Sequence, residues 1–117
     1  MQPSMKIYVD TSKHTYQVTQ NPAPKVGDRK SGAQKIDQTS GLPMWTTELT
    51  ALAHTGGASV IQVTTTGQVA PQVSIGASVV PEDLEALPWS NRGGDGETRM
   101  GIAYRASALR ALVLAGV

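Results

Sequence analysis

The sequence holds few side chains that could carry out catalysis. It has no cysteine and only two histidines, His14 and His54. The stretch PEDLE places Glu82, Asp83 and Glu85 close together, but a catalytic pair of carboxylates has to face each other across a cleft. The glycine-rich stretch RGGDGETR lacks the lysine and the strand-to-helix context of a phosphate-binding loop. These patterns predict neither an enzyme nor a metal or cofactor site.

Binding of single-stranded nucleic acid is the chemistry that the other functional side chains favour. It needs cations along the phosphate backbone and aromatic rings on which bases stack, each stacked base contributing about 1–3 kcal/mol. The chain has two tryptophans, three tyrosines and no phenylalanine. The residues that we expect to contact nucleic acid are Lys25, Arg29, Lys30, Lys35, Trp45, Trp89, Arg92, Arg99, Tyr104 and Arg105.

Charge is distributed unevenly along the chain, although the net charge is only +1. Residues 1–37 carry six basic and three acidic side chains, residues 38–91 carry four acidic ones and no Lys or Arg, and residues 92–117 carry four arginines against two acids. If the two basic segments meet in the fold, they form a patch that can hold phosphates. Otherwise they are two solvated loops.

Alternating apolar and polar residues predict strands over most of the chain. The clearest are MKIYV, HTYQVTQ, MWTTELTALA and SVIQVTTT, and the segments LEALPW and IAYRASAL suit the two arms of an antiparallel hairpin. The pattern predicts an all-β fold in which residues 1–117 form one small barrel or sandwich of five or six strands. The segment SALRALVLAG suits either a short C-terminal helix behind a capping serine or a last strand.

Two segments rich in glycine and basic residues predict long loops. Residues 21–32 hold two prolines and two glycines and have little to bury, which is typical of an exposed, flexible loop. Residues 90–101 hold four glycines and two arginines, and we expect them to form the loop of the hairpin.

The aromatic residues have two interpretations each. Alternation places Trp45 on the same side of its strand as Leu49, so its indole either packs at the rim of the core or stays exposed as a contact for bases. Trp89 and Tyr104 flank the 90–101 loop, and they either stabilise the hairpin as a cross-strand pair or bind nucleic acid.

The cellular compartment follows from what the sequence lacks. Without cysteine it has neither disulfides nor thiolate chemistry. It has no apolar run of the length that a signal peptide or a membrane span requires. We therefore expect a cytoplasmic protein that does not contact the membrane.

A glycine, a short apolar strand and a long hairpin follow one another in PQVSIGASVVPEDLEALPWS, where Gly76 precedes the strand. This order resembles the last strands of the OB-fold in bacterial single-stranded-DNA-binding proteins. MWTTELTALAHTGGASVIQVTTT is similar to the hairpin that precedes those strands, and the small helix-destabilising proteins of helical phages have a similar order of elements. The resemblance covers roughly residues 33–110 and implies a five-stranded OB-fold-like barrel whose long hairpin touches nucleic acid.

A second resemblance spans most of the chain. The segments MKIYVDTSKHTYQVTQNPAPK (Met5–Lys25) and GAQKIDQTSGLPMWTTELTAL (Gly32–Leu52) are similar to short actinobacterial proteins that are carried on integrative and conjugative plasmids. Those proteins are described as replication or regulatory proteins. The resemblance implies a role in plasmid replication or transfer.

Two hypotheses about function follow. The first is a non-enzymatic protein that binds single-stranded DNA during replication or conjugative transfer of a plasmid or integrative element. The second is an OB-like interaction module that binds a replication or transcription partner. Open sheet edges favour a homodimer or a higher homo-oligomer under both hypotheses. Basic and aromatic side chains on one shared face would favour DNA, and scattered basic residues would favour a protein partner.

Overall fold

A computed structural model describes residues 6–112 of the chain. These residues form strands joined by turns, one three-residue 3-10 helix (Thr11–Lys13) and no α-helix. The strands are β1 (Ile7–Tyr8), β2 (His14–Pro24), β3 (Met44–Ala53), β4 (Ala58–Thr66), β5 (Ser78–Glu82), β6 (Glu85–Arg92), β7 (Thr98–Arg105) and β8 (Ala108–Ala111). The prediction of an all-β fold is confirmed.

All eight strands belong to one curled sheet, in the order β1-β6-β7-β4-β3-β2-β5-β8. Neighbouring strands are antiparallel except β4 and β7, which pair in parallel through Val63 with Tyr104 and Thr64 with Arg105. β5 and β6 lie towards opposite ends of this order, yet only two residues separate them in the chain. The sheet therefore has to curl, and the curl encloses the core.

The predicted number of five strands is wrong, because two long strands are interrupted and one short strand is added. Asp83 adopts a φ of 52°, which no strand residue adopts, and it separates β5 from β6. Ala106 and Ser107 separate β7 from β8, and their N–H groups bind the carbonyls of Thr64 and Glu82 instead of continuing the hairpin ladder. The short β1 pairs with the start of β6.

Of the two interpretations of the C-terminal segment, the helix is wrong and the strand is right over the described residues, since Ala108–Ala111 forms β8 antiparallel to β5. Leu109 is buried in the core, whereas the neighbouring Arg110 is exposed and its Nε donates to Glu82 at 3.1 Å. Alternation between buried and exposed side chains is the pattern of a strand. The part of SALRALVLAG that follows Leu112 lies outside the described residues.

Neither predicted loop begins and ends where the sequence indicates. β2 continues to Pro24, which pairs with Trp45 of β3, so residues 21–24 of the predicted 21–32 loop are strand. The connection between β2 and β3, here called the β2–β3 loop, comprises residues 25–43 and folds back on itself through the bridges Val26–Gln34 and Ile36–Pro43. In the second predicted loop, 90–101, only residues 93–97 form the turn.

The hydrophobic core lies inside the curl of the sheet. It consists of buried side chains from β2, β3, β4, β5 and β8 and from the two interruptions: Tyr16, Val18, Leu49, Ala51, Val63, Val79, Leu84, Ala106 and Leu109. Gly76, the glycine expected before a strand, has a φ of 92° and lies two residues before β5. That conformation suits glycine because it has no Cβ.

Within the described range 6–112, no helix has the length and apolar character that a membrane crossing requires.

Candidate nucleic-acid interface

The hairpin formed by β6 and β7 extends beyond the rest of the sheet. β1 pairs with β6 only at Glu85 and Ala86, and β4 pairs with β7 only at Tyr104 and Arg105. Among residues 6–112, the two arms from residue 87 to residue 103 therefore pair only with each other, and we call this part the distal hairpin. Both of its faces are open to a ligand.

The register of the hairpin assigns its side chains to two faces, because directly paired residues share a side and successive residues alternate. The indole face carries the pairs Glu85–Arg105, Leu87–Ala103, Trp89–Gly101 and Asn91–Arg99. The aliphatic face carries the pairs Ala86–Tyr104, Pro88–Ile102, Ser90–Met100 and Arg92–Thr98.

Trp89 lies flat enough over its partner Gly101 to occupy the space of a side chain there. A Cβ added to Gly101 would lie 2.7 Å from Cζ2 of Trp89, a distance that real Cβ atoms do not show. The glycine thus leaves room for the indole, which remains 47% exposed. An exposed ring held by the backbone beneath it is the arrangement that base stacking needs.

Three cations meet on the outer side of the sheet at the foot of the hairpin. Lys25 is partly buried and its Nζ donates to Oγ1 of Thr64 at 2.8 Å, while the N–H of Lys35 donates to the carbonyl of Lys25 at 2.6 Å. Thr64 pairs in register with Arg105. Burial lowers the pKa of Lys25 below its usual value, and the nearby charges of Lys35 and Arg105 lower it further. We call Lys25, Lys35 and Arg105 the basic cluster.

Arg105 is held by Glu85, its cross-strand partner. Its Nε and Nη2 both donate to Oε2 of Glu85, at 3.0 and 2.6 Å. Glu85 is buried, and its second oxygen lies 3.9 Å from Nζ of Lys6. The residue types around Glu85 do not indicate it as a site residue, although a hairpin centred on Asp95 places it opposite Arg105.

Trp45 lies on the inner side of β3, away from the basic cluster. Its indole is partly buried, and its Nε1 donates to the carbonyl of Gly67 at 2.9 Å. The neighbouring residues on the same side, Thr47 and Leu49, are fully buried. This geometry is that of a residue at the rim of the core, with its polar atom already bound.

Tyr104 is separated from Trp89 by the register of the hairpin. It pairs with Ala86 on the aliphatic face, and its ring packs against the hydrophobic core. The expected cross-strand contact between Trp89 and Tyr104 is therefore wrong, because the two residues lie on opposite faces.

The remaining predicted contacts lie near the two tips. Arg29 and Lys30 are exposed at the turn of the β2–β3 loop, where the N–H of Lys30 donates to Oδ1 of Asp28 at 2.9 Å. Arg92 and Arg99 are exposed beside the hairpin turn on different faces, and Nη2 of Arg99 lies 3.9 Å from Asp95. Of these four, only Arg99 shares a face with Trp89.

A cleft of about 400 Å³ adjoins the basic cluster on its other side. Its charged lining combines Lys6 and Arg105 with the carboxylates of Asp37, Asp83 and Glu85. The hydroxyl of Ser40 donates to Asp37 at 2.7 Å, and this bond holds the pKa of Asp37 below its usual value. Three carboxylates in one cleft disfavour a phosphate, so a polyanion fits the hairpin side of Arg105 better.

The side chains considered for catalysis have structural contacts. Nε2 of His54 lies 3.4 Å from Oγ1 of Thr15, and the ring of His14 lies beside that of Tyr16 with centroids 5.9 Å apart. Oδ2 of Asp83 accepts from the hydroxyl of Ser107 at 2.9 Å. Across residues 6–112, no three His, Asp or Glu side chains group in a way that could hold a metal ion.

No model of a known protein family matches the chain, and no curated protein matches it significantly.

Proposed function

We propose that the protein binds single-stranded DNA without chemistry, on the outer surface formed by the indole face of the hairpin and the basic cluster. The observation that carries the proposal is the shared side of these groups. Arg105 belongs to the basic cluster and, through the register of β6 and β7, lies on the same face as Trp89 and Arg99. The row of side chains from Arg105 to Arg99 is roughly 20 Å long, because a β-strand rises about 3.3 Å per residue. A DNA strand would follow this row.

The order of strand pairing supports the proposal. In an OB-fold the first strand pairs with the second and fourth, and the third pairs in parallel with the fifth. The same scheme results here when β2, β3, β4, β5 with β6, and β7 are counted as the five strands. The β2–β3 loop and the hairpin turn then occupy the positions of the two loops with which OB-folds contact oligonucleotides.

The biological setting belongs to the same proposal. The resemblance to short proteins of integrative and conjugative plasmids favours a role in replication or transfer of such an element. Single strands are the intermediates of both processes, and a protein that coats or presents them needs no catalytic group.

The test is fluorescence anisotropy of a labelled oligo-dT titrated with the protein at low and at higher salt, with a duplex of equal length as control. We expect salt-sensitive binding that prefers the single strand, because phosphate contacts release counterions and exposed bases stack on the indole. Trp89→Ala should weaken binding by about 1–3 kcal/mol, which is about 5- to 150-fold in Kd.

Met100→Ala is the matched control, since Met100 lies on the same hairpin but on the opposite face. It should leave the Kd unchanged. No binding at micromolar protein, or equal weakening by both substitutions, would overturn the proposal.

A protein-interaction module is the second candidate, and the aliphatic face favours it. Met100 is 75% exposed and Ile102 is 54% exposed, and Pro88 lies beside them. Exposed apolar groups of this kind mark contact surfaces. A second copy of the chain is an occupant that suits the charge at the turn, where Arg92 and Arg99 are balanced by Asp95 and Glu97 and do not repel a copy.

Light scattering of the protein as it elutes from a size-exclusion column gives its molar mass in solution and tests this candidate without DNA. We expect a mass above that of one chain, and Met100→Lys should return the mass to that of a monomer. Val69→Lys is the control, because Val69 is 67% exposed in the connection that follows β4, away from the hairpin. A monomeric parent protein would contradict self-association through this face.

A further inference from the structure

Lys25 is a partly buried cation whose described partner is a neutral group. Its Nζ binds the hydroxyl of Thr64, and the ion pairs found within residues 6–112 include neither Lys25 nor Lys35. A hydroxyl satisfies one hydrogen bond but does not balance a charge, and charges taken out of water are normally paired. Within the described part of the chain, Lys25 therefore has no counter-ion.

Arg105 presents a fixed guanidinium beside this lysine. Because Nε and Nη2 both donate to one oxygen of Glu85, the plane of the group is set, and the N–H groups on its other edge point away from Glu85. The side chain is 47% exposed, so that edge is open to solvent. Guanidinium edges of this kind bind phosphate oxygens in pairs.

The local charge balance favours an anion. Glu85 already binds two of the nearby cations, Lys6 and Arg105, whereas no ion pair within residues 6–112 includes Lys25 or Lys35. The remaining positive charge is concentrated on Lys25 and Lys35. The repulsion between these two lysines lowers the pKa of Lys25 further, and a bound anion would relieve that repulsion.

We infer that the basic cluster is a preorganised binding site for one phosphate group. The ammonium groups of Lys25 and Lys35 and the free edge of Arg105 would hold the phosphate. Thr64 and Glu85 hold two of the three donors in place before the ligand arrives. This inference deepens the proposed function, since the phosphate would be one of the single strand. The same chemistry would accept the phosphates of a free di- or polyphosphate.

Two probes separate these sources. In the first, thermal unfolding of the protein is followed with and without inorganic pyrophosphate, at constant ionic strength. In the second, the oligo-dT affinity is measured over a series of salt concentrations. Lys25→Gln and Lys35→Gln are compared with Lys13→Gln, which removes the same charge at the opposite end of β2.

We expect pyrophosphate to raise the unfolding temperature of the parent and of Lys13→Gln but not of the two cluster variants. For oligo-dT, loss of one phosphate contact should reduce the slope of log K against log salt by about 0.7–1 in each cluster variant. Lys35 is exposed, so its variant tests the site even if Lys25→Gln is poorly folded.

The outcomes distinguish this inference from the proposed function. Oligo-dT binding with an unchanged slope in both cluster variants, together with no effect of pyrophosphate, would overturn the phosphate site and leave DNA binding intact. A pyrophosphate effect that depends on the cluster, without any oligo-dT binding, would support the site and remove the single strand as its ligand.

Discussion

The curled body and the distal hairpin use apolar side chains in opposite ways. In the body, Leu49 and Val63 are fully buried and the sheet closes around them. In the distal hairpin, Met100 and Trp89 stay largely exposed on two faces that nothing else in residues 6–112 covers. The fold does not need these hairpin side chains for its core, which leaves them available to a ligand or a partner.

The largest expected effect is on the stability of the body. Leu49→Ala should lower the free energy of unfolding by about 2–5 kcal/mol, because it leaves a cavity in a closed core. Met100→Ala should change it by less than about 0.5 kcal/mol, since its side chain is already exposed. Urea unfolding followed by circular dichroism measures both. Similar losses in the two variants would mean that the hairpin is part of the cooperative core.

The next largest expected effect is on oligo-dT affinity, from a substitution in the hairpin that does not change its charge. Gly101→Ala adds a Cβ where the indole of Trp89 lies, and the indole has to move. We expect oligo-dT affinity to fall by as much as the about 1–3 kcal/mol of a lost base stack, with stability nearly unchanged. Gly94→Ala is the control, because a Cβ there meets no atom within 4 Å. Equal affinities of both variants would show that the placement of the indole has no role.

A smaller effect, of opposite sign, is expected in the body. Thr47 is fully buried and its hydroxyl binds no group among the described residues. Thr47→Val keeps the shape and removes the unpaired polar atom, so the free energy of unfolding should rise by about 1 kcal/mol. The same denaturation experiment checks this value. A loss of stability would indicate that the hydroxyl has a partner in solution.

The smallest effect concerns the junction of the two regions and depends on pH. Lys25 loses its proton at lower pH in the folded than in the unfolded chain, where its pKa is near 10.5. At a pH between the pKa of Lys25 in the folded chain and its pKa in the unfolded chain, unfolding therefore takes up a proton. The free energy of unfolding rises with pH through that window. The raised pKa of buried Tyr16 acts in the opposite direction.

The difference in unfolding free energy between the parent and Lys25→Gln isolates the lysine, since Tyr16 is common to both. We expect this difference to shift in favour of the parent as pH rises towards 10.5. A difference that does not vary with pH would show that Lys25 is as well solvated in the fold as in the unfolded chain.

The sequence predicted what depends on alternation. Three of the four buried positions of β3, Thr47, Leu49 and Ala51, are ones that period-two patterning assigns to one side, while Met44 is buried on the other side at the start of the strand. The hairpin arms lie where aliphatic segments flank a glycine-rich turn. Alternation does not reveal where a strand breaks. Asp83 separates β5 from β6, which would otherwise form one long strand, through a backbone conformation that its residue type permits but does not require.

The site was harder to predict, because its members meet through long-range pairing. Lys25 and Arg105 lie far apart in the chain and come together only when β4 pairs with β7. Trp89 and Tyr104 looked alike in the sequence, since both flank the same turn. The register of the hairpin, which depends on where the turn is centred, places them on opposite faces.

The unequal exposure of the two tryptophans gives the protein two optical reporters. They are the only tryptophans in the chain. The indole N–H of Trp45 donates a hydrogen bond to the carbonyl of Gly67 in the body, whereas the indole of Trp89 is exposed on the hairpin. Emission from Trp45 should be blue-shifted and poorly accessible to acrylamide, and emission from Trp89 should be red-shifted and readily quenched. With one tryptophan replaced by phenylalanine, the fluorescence of the other would report on the body or on the hairpin alone, without any attached dye.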